Sequence, residues 1–101
     1  MAPGELVRVD GTELRLRFLE VTGDSRCPVD AFCIQGGDAL VHVQAIDGTT
    51  ARYELHTGDS SRATVTHGSY RIELAELQPY PFSSRPVQSG DYRATFVVSR
   101  P

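Results

Sequence analysis

The fold is decided by residues 40–56, which read LVHVQAIDGTTARYELH. On both sides of Asp47-Gly48, apolar side chains alternate with polar ones, which is the two-residue period of a strand with one buried face. An Asp-Gly pair between two such runs is a strong signal for a tight hairpin turn. This stretch therefore predicts two antiparallel strands, with the first spanning about 38–46.

The same period recurs through the rest of the 101-residue chain. It predicts a short edge strand over 5–9, and further strands over 13–18, 63–67, 70–76 and 92–98, each separated from the next by turn signals. Frequent short strands without helical periodicity favour an all-β fold. We expect residues 1–101 to form one domain, a single antiparallel β-sandwich of about seven strands, Ig-like or a related Greek key.

Composition narrows the classes of partner. Hydrophobic residues make up 40% of the chain and charged residues 23%, as in ordinary globular proteins. No apolar run approaches the roughly 20 residues of a membrane helix. The net charge is −3 and the basic residues are spread along the chain without a cluster, so we predict no nucleic-acid partner. No sequence motif indicates a cofactor-binding site, and we expect no cofactor.

Two segments, 22–37 and 78–90, interrupt the alternation. Prolines in the second cannot donate to a strand ladder, which marks it as a loop. The first contains the only two cysteines, Cys27 and Cys33, whose spacing is not that of a C-x-x-C redox or zinc motif. A disulfide is the simplest interpretation, and closing this short loop stabilises by roughly 2–2.5 kcal/mol. Arg26 is expected to pair with Asp24 or Asp30, and Gly36 and Gly37 to return the chain to a strand.

A disulfide also bears on the compartment, since such bonds persist in oxidising environments. The first residues show no signal-peptide pattern. Two interpretations remain: a cytoplasmic protein, or an extracytoplasmic one (secreted, periplasmic or lipid-anchored) whose leader is absent from this chain. We favour the second.

The residues around the cysteines resemble a known signature. Asp24-Ser25-Arg26-Cys27-Pro28, four residues, then Cys33, a glycine and a β-run, is similar to the pattern in small, largely uncharacterised bacterial exported proteins and lipoproteins. The resemblance continues through Leu77-Gln78-Pro79-Tyr80-Pro81 to Tyr92. It implies export and a Cys27–Cys33 disulfide, and it brings no established activity. That family often has tryptophan and alanine after the second cysteine, where this chain has Ile34, Gln35 and Gly36.

The two irregular segments are where we expect function, because rigid scaffolds usually present binding residues on loops. We predict that Arg26, Phe32, Tyr80 and Phe82 contact a partner. The aromatics of the second segment have a competing role, which is to fold back over the core. The predicted function is a non-enzymatic exported module that binds a protein or envelope partner through its loops; a protease inhibitor is one version.

The alternative is a small periplasmic metal- or ligand-binding protein that uses His42 and His56. If Ile46 pairs with Thr50, these two histidines lie diagonally on one sheet face, within reach of a shared ion. Two ligands do not complete a site, so we expect no metal, and all three histidines including His67 are expected to face solvent. No serine lies in a nucleophile elbow, and we predict no enzyme activity.

Overall fold

A computed structural model describes residues 1–34 and 37–100. The described chain is all-β, with two single-turn 3₁₀ helices, Ser60–Arg62 and Ser89–Asp91. The strands are β1 (Leu6–Arg8), β2 (Arg15–Thr22), β3 (Leu40–Ile46), β4 (Thr50–His56), β5 (Thr64–His67), β6 (Tyr70–Gln78) and β7 (Arg93–Ser99).

The seven strands form two antiparallel sheets. Sheet A has the order β1-β2-β3-β4, and sheet B has the order β5-β6-β7. The predicted seven-strand antiparallel sandwich is confirmed. Its connectivity differs from the prediction, because every sheet neighbour in the described chain is also a sequence neighbour. A Greek key instead brings a fourth strand back beside the first. The two sheets are meanders, so the Ig-like or Greek-key assignment is wrong.

The β3–β4 hairpin has the predicted register. Ile46 pairs with Thr50, and the chain reverses at Asp47-Gly48. The Asp47 amide donates to the Thr49 carbonyl at 3.0 Å, and Gly48 has φ +90°, a conformation that a residue with a Cβ rarely adopts.

Two strands are longer than their alternation predicted. β2 continues to Thr22 and β6 to Gln78, whereas the sequence pattern ended near Phe18 and Glu76. Each contains a register shift, between Phe18 and Glu20 in β2 and between Leu74 and Glu76 in β6. An extra residue at such a bulge reverses the side-chain alternation, so the strand goes on while its two-residue period is lost.

Both sheets contribute their inward residues to one core. Phe18 of β2 packs edge-on against Phe96 of β7, with ring centroids 6.2 Å apart, which joins the two sheets. The largest fully buried side chains are Phe18, Leu14, Leu55, Ile72, Val41 and Val43.

The connections divide the sandwich into two ends. The turns after β1, β3 and β5 lie at one, here called the hairpin end. The cysteine loop (residues 23–39), the β4–β5 connection (57–63) and the proline loop (79–92) lie at the other, here called the loop end. The described part of the chain contains no helix long and apolar enough to cross a membrane.

Candidate functional site

The cysteine loop and the proline loop pack together at the loop end. The Val29 amide donates to the Pro81 carbonyl at 2.8 Å. The Asp30 carboxylate accepts hydrogen bonds from the backbone and the hydroxyl of Ser83, and these bonds lower the pKa of Asp30. Two segments whose contacting residues Asp30 and Ser83 lie 53 positions apart in sequence thus form one surface, which we call the joined-loop surface.

The disulfide predicted between Cys27 and Cys33 is present, with Cα atoms 6.1 Å apart. Inside the closed loop, the Ala31 amide donates to the Pro28 carbonyl at 3.1 Å and forms a tight turn. The disulfide therefore fixes the tip of the cysteine loop.

Arg26 lies beneath this surface, with only 10% of its side chain exposed. Its guanidinium donates to both oxygens of Asp24, each at 2.8 Å, in the paired geometry typical of arginine and carboxylate. Two further N–H groups reach the carbonyls of Leu77, at 2.8 Å, and Pro79, at 2.9 Å. Arg26 therefore joins the two loops. Four of its five N–H groups bond inside the protein, and its direct contact with a partner stays a prediction.

Asp24 has a second partner in the buried Tyr92, whose hydroxyl donates to it at 2.8 Å. Burial alone would raise the pKa of Asp24, but the hydrogen bonds from Arg26 and Tyr92 outweigh it and hold that pKa below its ordinary value. Burial, followed by the bond to Asp24, raises the pKa of Tyr92 to about 12. The expected pairing of Arg26 with Asp24 or Asp30 is resolved in favour of Asp24.

A second set of contacts fixes the base of the cysteine loop. Ser25 and Asp38 face each other, with the Ser25 amide donating to the Asp38 carbonyl at 2.7 Å. Gly37 crosses so close to the Ser25 backbone that a Cβ would overlap it. Glycine is therefore required at 37 by this close approach. Gly36, which was expected to act with it, lies outside the described residues.

The aromatic candidates lie on the outside of the joined-loop surface. Phe32 is fully exposed, and Tyr80 and Phe82 are each about half exposed, at 49% and 50%. Eight large hydrophobic side chains are exposed in the described chain, and five belong to these two loops, since Val29 and Ile34 are exposed there as well. Val29 and Ile34 were not among the residues predicted from the sequence. The available signal was their position, with Val29 inside the disulfide-bonded loop and Ile34 directly after Cys33.

A groove of about 300 Å³ runs beside this surface, between the ends of β4 and β6. Arg26, His56, Glu76 and Tyr80 contribute to its walls. The Tyr80 hydroxyl donates to Glu76 at 2.8 Å, which holds the ring against the groove and raises the pKa of Tyr80.

His42 and His56 share the outer face of sheet A, as predicted from the register: His42 pairs with Glu54, and His56 is the next outward residue of β4. Their rings have different partners. His42 Nε2 lies 2.8 Å from the Thr22 hydroxyl, whereas His56 Nδ1 lies 2.6 Å from Asp38. The described residues include no group of three or more acidic, histidine or cysteine side chains arranged to hold a metal ion.

The prediction for His67 is wrong. It was expected to face solvent, but it is buried with 4% of its surface exposed. Its Nε2 lies 2.7 Å from Asp47 and its Nδ1 lies 2.8 Å from the Tyr53 hydroxyl. The alternation of β5 is weak, so the sequence did not indicate that His67 lies on the inner face of this strand.

The arginines are less scattered in space than in sequence. Arg8 pairs directly with Arg15, and Arg17 follows on the same outer face of sheet A. The basic residues are therefore spread out along the chain, but three of them lie together on the sheet. This small basic patch shares its face with Glu20 and Glu54. The prediction of no nucleic-acid partner stays a prediction.

Comparison with protein-family models, with curated proteins and with solved structures finds no significant match.

Proposed function

We propose that this protein is a non-enzymatic, exported binding module that contacts a protein or envelope partner through the joined-loop surface. The partner surface consists of Phe32, Tyr80 and Phe82, with Val29 and Ile34 at its margins. Arg26 supports this surface from beneath.

The observation that carries the proposal is the concentration of exposed apolar side chains on two loops that are themselves held rigidly. Phe32 and its neighbours expose apolar surface to solvent. Burying that surface would have stabilised the fold, so its exposure points to a use other than stability. Exposed apolar patches with a polar rim are typical of protein-interaction sites. Because the disulfide and Arg26 already order the loops, a partner does not have to supply that ordering free energy.

Export is supported by two features that share the same cysteines. The disulfide is stable in an oxidising compartment, and the residues from Asp24 to Cys33 resemble the signature of small bacterial exported proteins. An inhibitor of an extracytoplasmic enzyme is one version of this function. The disulfide-bonded tip would then present Phe32 to the target in a fixed conformation.

The test is quantitative capture from an envelope fraction. Immobilised wild-type protein is compared with a triple variant, F32A/Y80A/F82A, and bound proteins are quantified by mass spectrometry. We expect at least one protein to be retained by the wild type and lost from the triple variant.

Leu6→Ala is the matched control, since Leu6 is an exposed apolar residue on the outer face of sheet A. It should retain the same protein. If the triple variant, folded as judged by circular dichroism, captures every protein that the wild type does, the joined-loop surface is not the binding site.

The alternative is a small periplasmic metal- or ligand-binding protein that uses His42 and His56, which share the outward face of sheet A. Zinc titration by calorimetry separates the two functions. The alternative predicts stoichiometric heat that a His42→Ala/His56→Ala variant loses, and the loop function predicts none.

A further inference from the structure

The two sheets differ by one strand, and the difference falls at one side of the sandwich. β4 and β5 are successive strands in contact at one side, and the Phe18–Phe96 contact places β2 opposite β7. β1 is the next strand of sheet A beyond β2, whereas the described chain has no strand of sheet B beyond β7. Sheet B therefore lacks a strand opposite β1.

Side chains that face this position are incompletely buried. Val7 pairs with the buried Leu16 and so lies on the inner face of sheet A, yet it is 37% exposed. Phe96 and Val98 point to the inner face of sheet B and are only partly buried. Between the two lies an apolar groove of about 320 Å³, lined by Met1, Val7, Val9, Leu16, Phe96 and Val98 among others.

The backbone of β7 is also open on this side. Ala94 donates its amide to the Met1 carbonyl and accepts from the Met1 nitrogen, so its polar groups point away from β6. Backbone groups alternate between the two sides of a strand. Those of Phe96 and Val98 consequently point the same way as those of Ala94, toward the edge that β6 does not occupy.

Met1 shows how a second chain fits on this edge. A residue pair that exchanges both backbone hydrogen bonds is one rung of an antiparallel ladder. The edge thus already binds extended backbone at Ala94, and the next two positions continue the same ladder. An added strand would lie about 4.8 Å from β7 and direct every second side chain into the groove.

We propose that the edge of β7 binds an extended peptide segment of a partner protein, with apolar side chains at alternate positions, as the fourth strand of sheet B. The ladder of Ala94, Phe96 and Val98 supplies the hydrogen bonds, and the groove between β1 and β7 receives the side chains. This mode of recognition is β-strand addition, in which backbone bonds supply affinity and pockets supply specificity.

A second copy of the protein fits this edge less well than a peptide does. In a second copy, the inward side chains of β7 belong to that copy's own core, so they cannot enter this groove. A free extended peptide has no such commitment. Its backbone satisfies the ladder while its alternate side chains fill the apolar space between the sheets.

The experiment uses an acetylated and amidated synthetic peptide in which valine and threonine alternate between terminal lysines. Amide and methyl NMR signals of the full chain are followed during titration. The key variant is Val98→Pro, which removes an amide that makes no bond to β6 and which an edge strand tolerates. Val98→Ala is its control, because it loses the same side chain but keeps the amide.

We expect shifts confined to Phe96, Val98, Val7 and Val9. Binding should weaken about tenfold or more in Val98→Pro and change little in Val98→Ala, with both variants folded by circular dichroism. Absence of shifts up to the solubility limit of the peptide, or equal binding by Val98→Pro, would overturn the proposal. So would concentration-dependent shifts at the same residues without peptide, since these would assign the edge to a second copy. None of these outcomes depends on the joined-loop surface.

Discussion

At the scale of single residues, Arg26 decides how the loop end is organised. Its planar guanidinium binds the Asp24 carboxylate on one side. On the other side it binds the carbonyls of Leu77 and Pro79, at the end of β6. An arginine can do this because its donors form a rigid fork, whereas the ammonium of lysine is a single charged point. The loop end is thus built around one side chain that the sequence alone marks as a candidate for external contact.

We predict that Arg26→Lys lowers the free energy of unfolding by about 2 kcal/mol, because bonds from a charged donor to Leu77 and Pro79 are lost while Asp24 stays mostly covered. Urea denaturation measures the change. Arg62→Lys is the matched control, since Arg62 is 67% exposed and its ion pair with Asp59 is long, at 3.5 Å. The control should change stability by less than about 0.5 kcal/mol. Equal effects of the two substitutions would contradict the role given to Arg26.

The pKa of Asp24 gives a prediction with a defined sign. Because the folded-state pKa is lowered from 3.8, the ionised carboxylate stabilises the fold above that value and the contribution is lost as pH falls below it. The wild type should exceed Asp24→Asn in unfolding free energy by a constant amount near neutral pH. This difference should shrink once the pH passes below 4. Urea denaturation of both proteins from pH 7 to pH 2 measures it, and an undiminished difference at pH 2 would show that the carboxylate charge is not involved.

At the scale of elements, the strands could be predicted from the sequence wherever their pairing is regular and contains no bulge. The alternation around Asp47-Gly48 gave the β3–β4 register correctly, because a one-residue shift would turn Val41 and Val43 to solvent. The alternation could not give the ends of β2 and β6, since a bulge breaks the period inside a continuous strand.

The sequence predicted that the two irregular segments are loops, but it did not predict that they contact each other. Prolines identified the proline loop, and the cysteine spacing predicted the disulfide now present. The contact between Val29 and Pro81 depends on the strand order, and that order was expected to be a Greek key. For the same reason, the burial of Arg26 under both loops had no signal in its local sequence.

At the scale of the whole molecule, polar side chains join different elements at both ends of the sandwich while the middle is apolar. Asp24, Arg26 and Tyr92 join the two loops to each other and to β6 at the loop end. At the hairpin end, His67 of sheet B bonds to Asp47 of sheet A. A sandwich whose sheets share few backbone bonds depends on such contacts, besides its core, to fix how the sheets face each other.

The bridge at the hairpin end gives the last prediction. Asp47 accepts, so His67 Nε2 is the donor, and in the neutral ring Nδ1 is left to accept from the Tyr53 hydroxyl. His67→Phe keeps a ring of similar size against Tyr53, whose ring centroid lies 5.7 Å away, but removes both bonds between the sheets. We expect it to lower the free energy of unfolding by about 2 kcal/mol, because the Asp47 carboxylate and the Tyr53 hydroxyl lose a partner at partly buried positions.

A double-mutant cycle with Asp47→Ala, which removes the accepting oxygen, isolates the part of this effect that belongs to the bridge. If His67 and Asp47 act as one contact, the double variant should be less destabilised than the sum of the single variants by about 1 kcal/mol or more. Urea denaturation of the four proteins measures this coupling, and the urea dependence should stay the same because the core shared by both sheets is unchanged. Additive effects would mean that the 2.7 Å contact does not hold the sheets together.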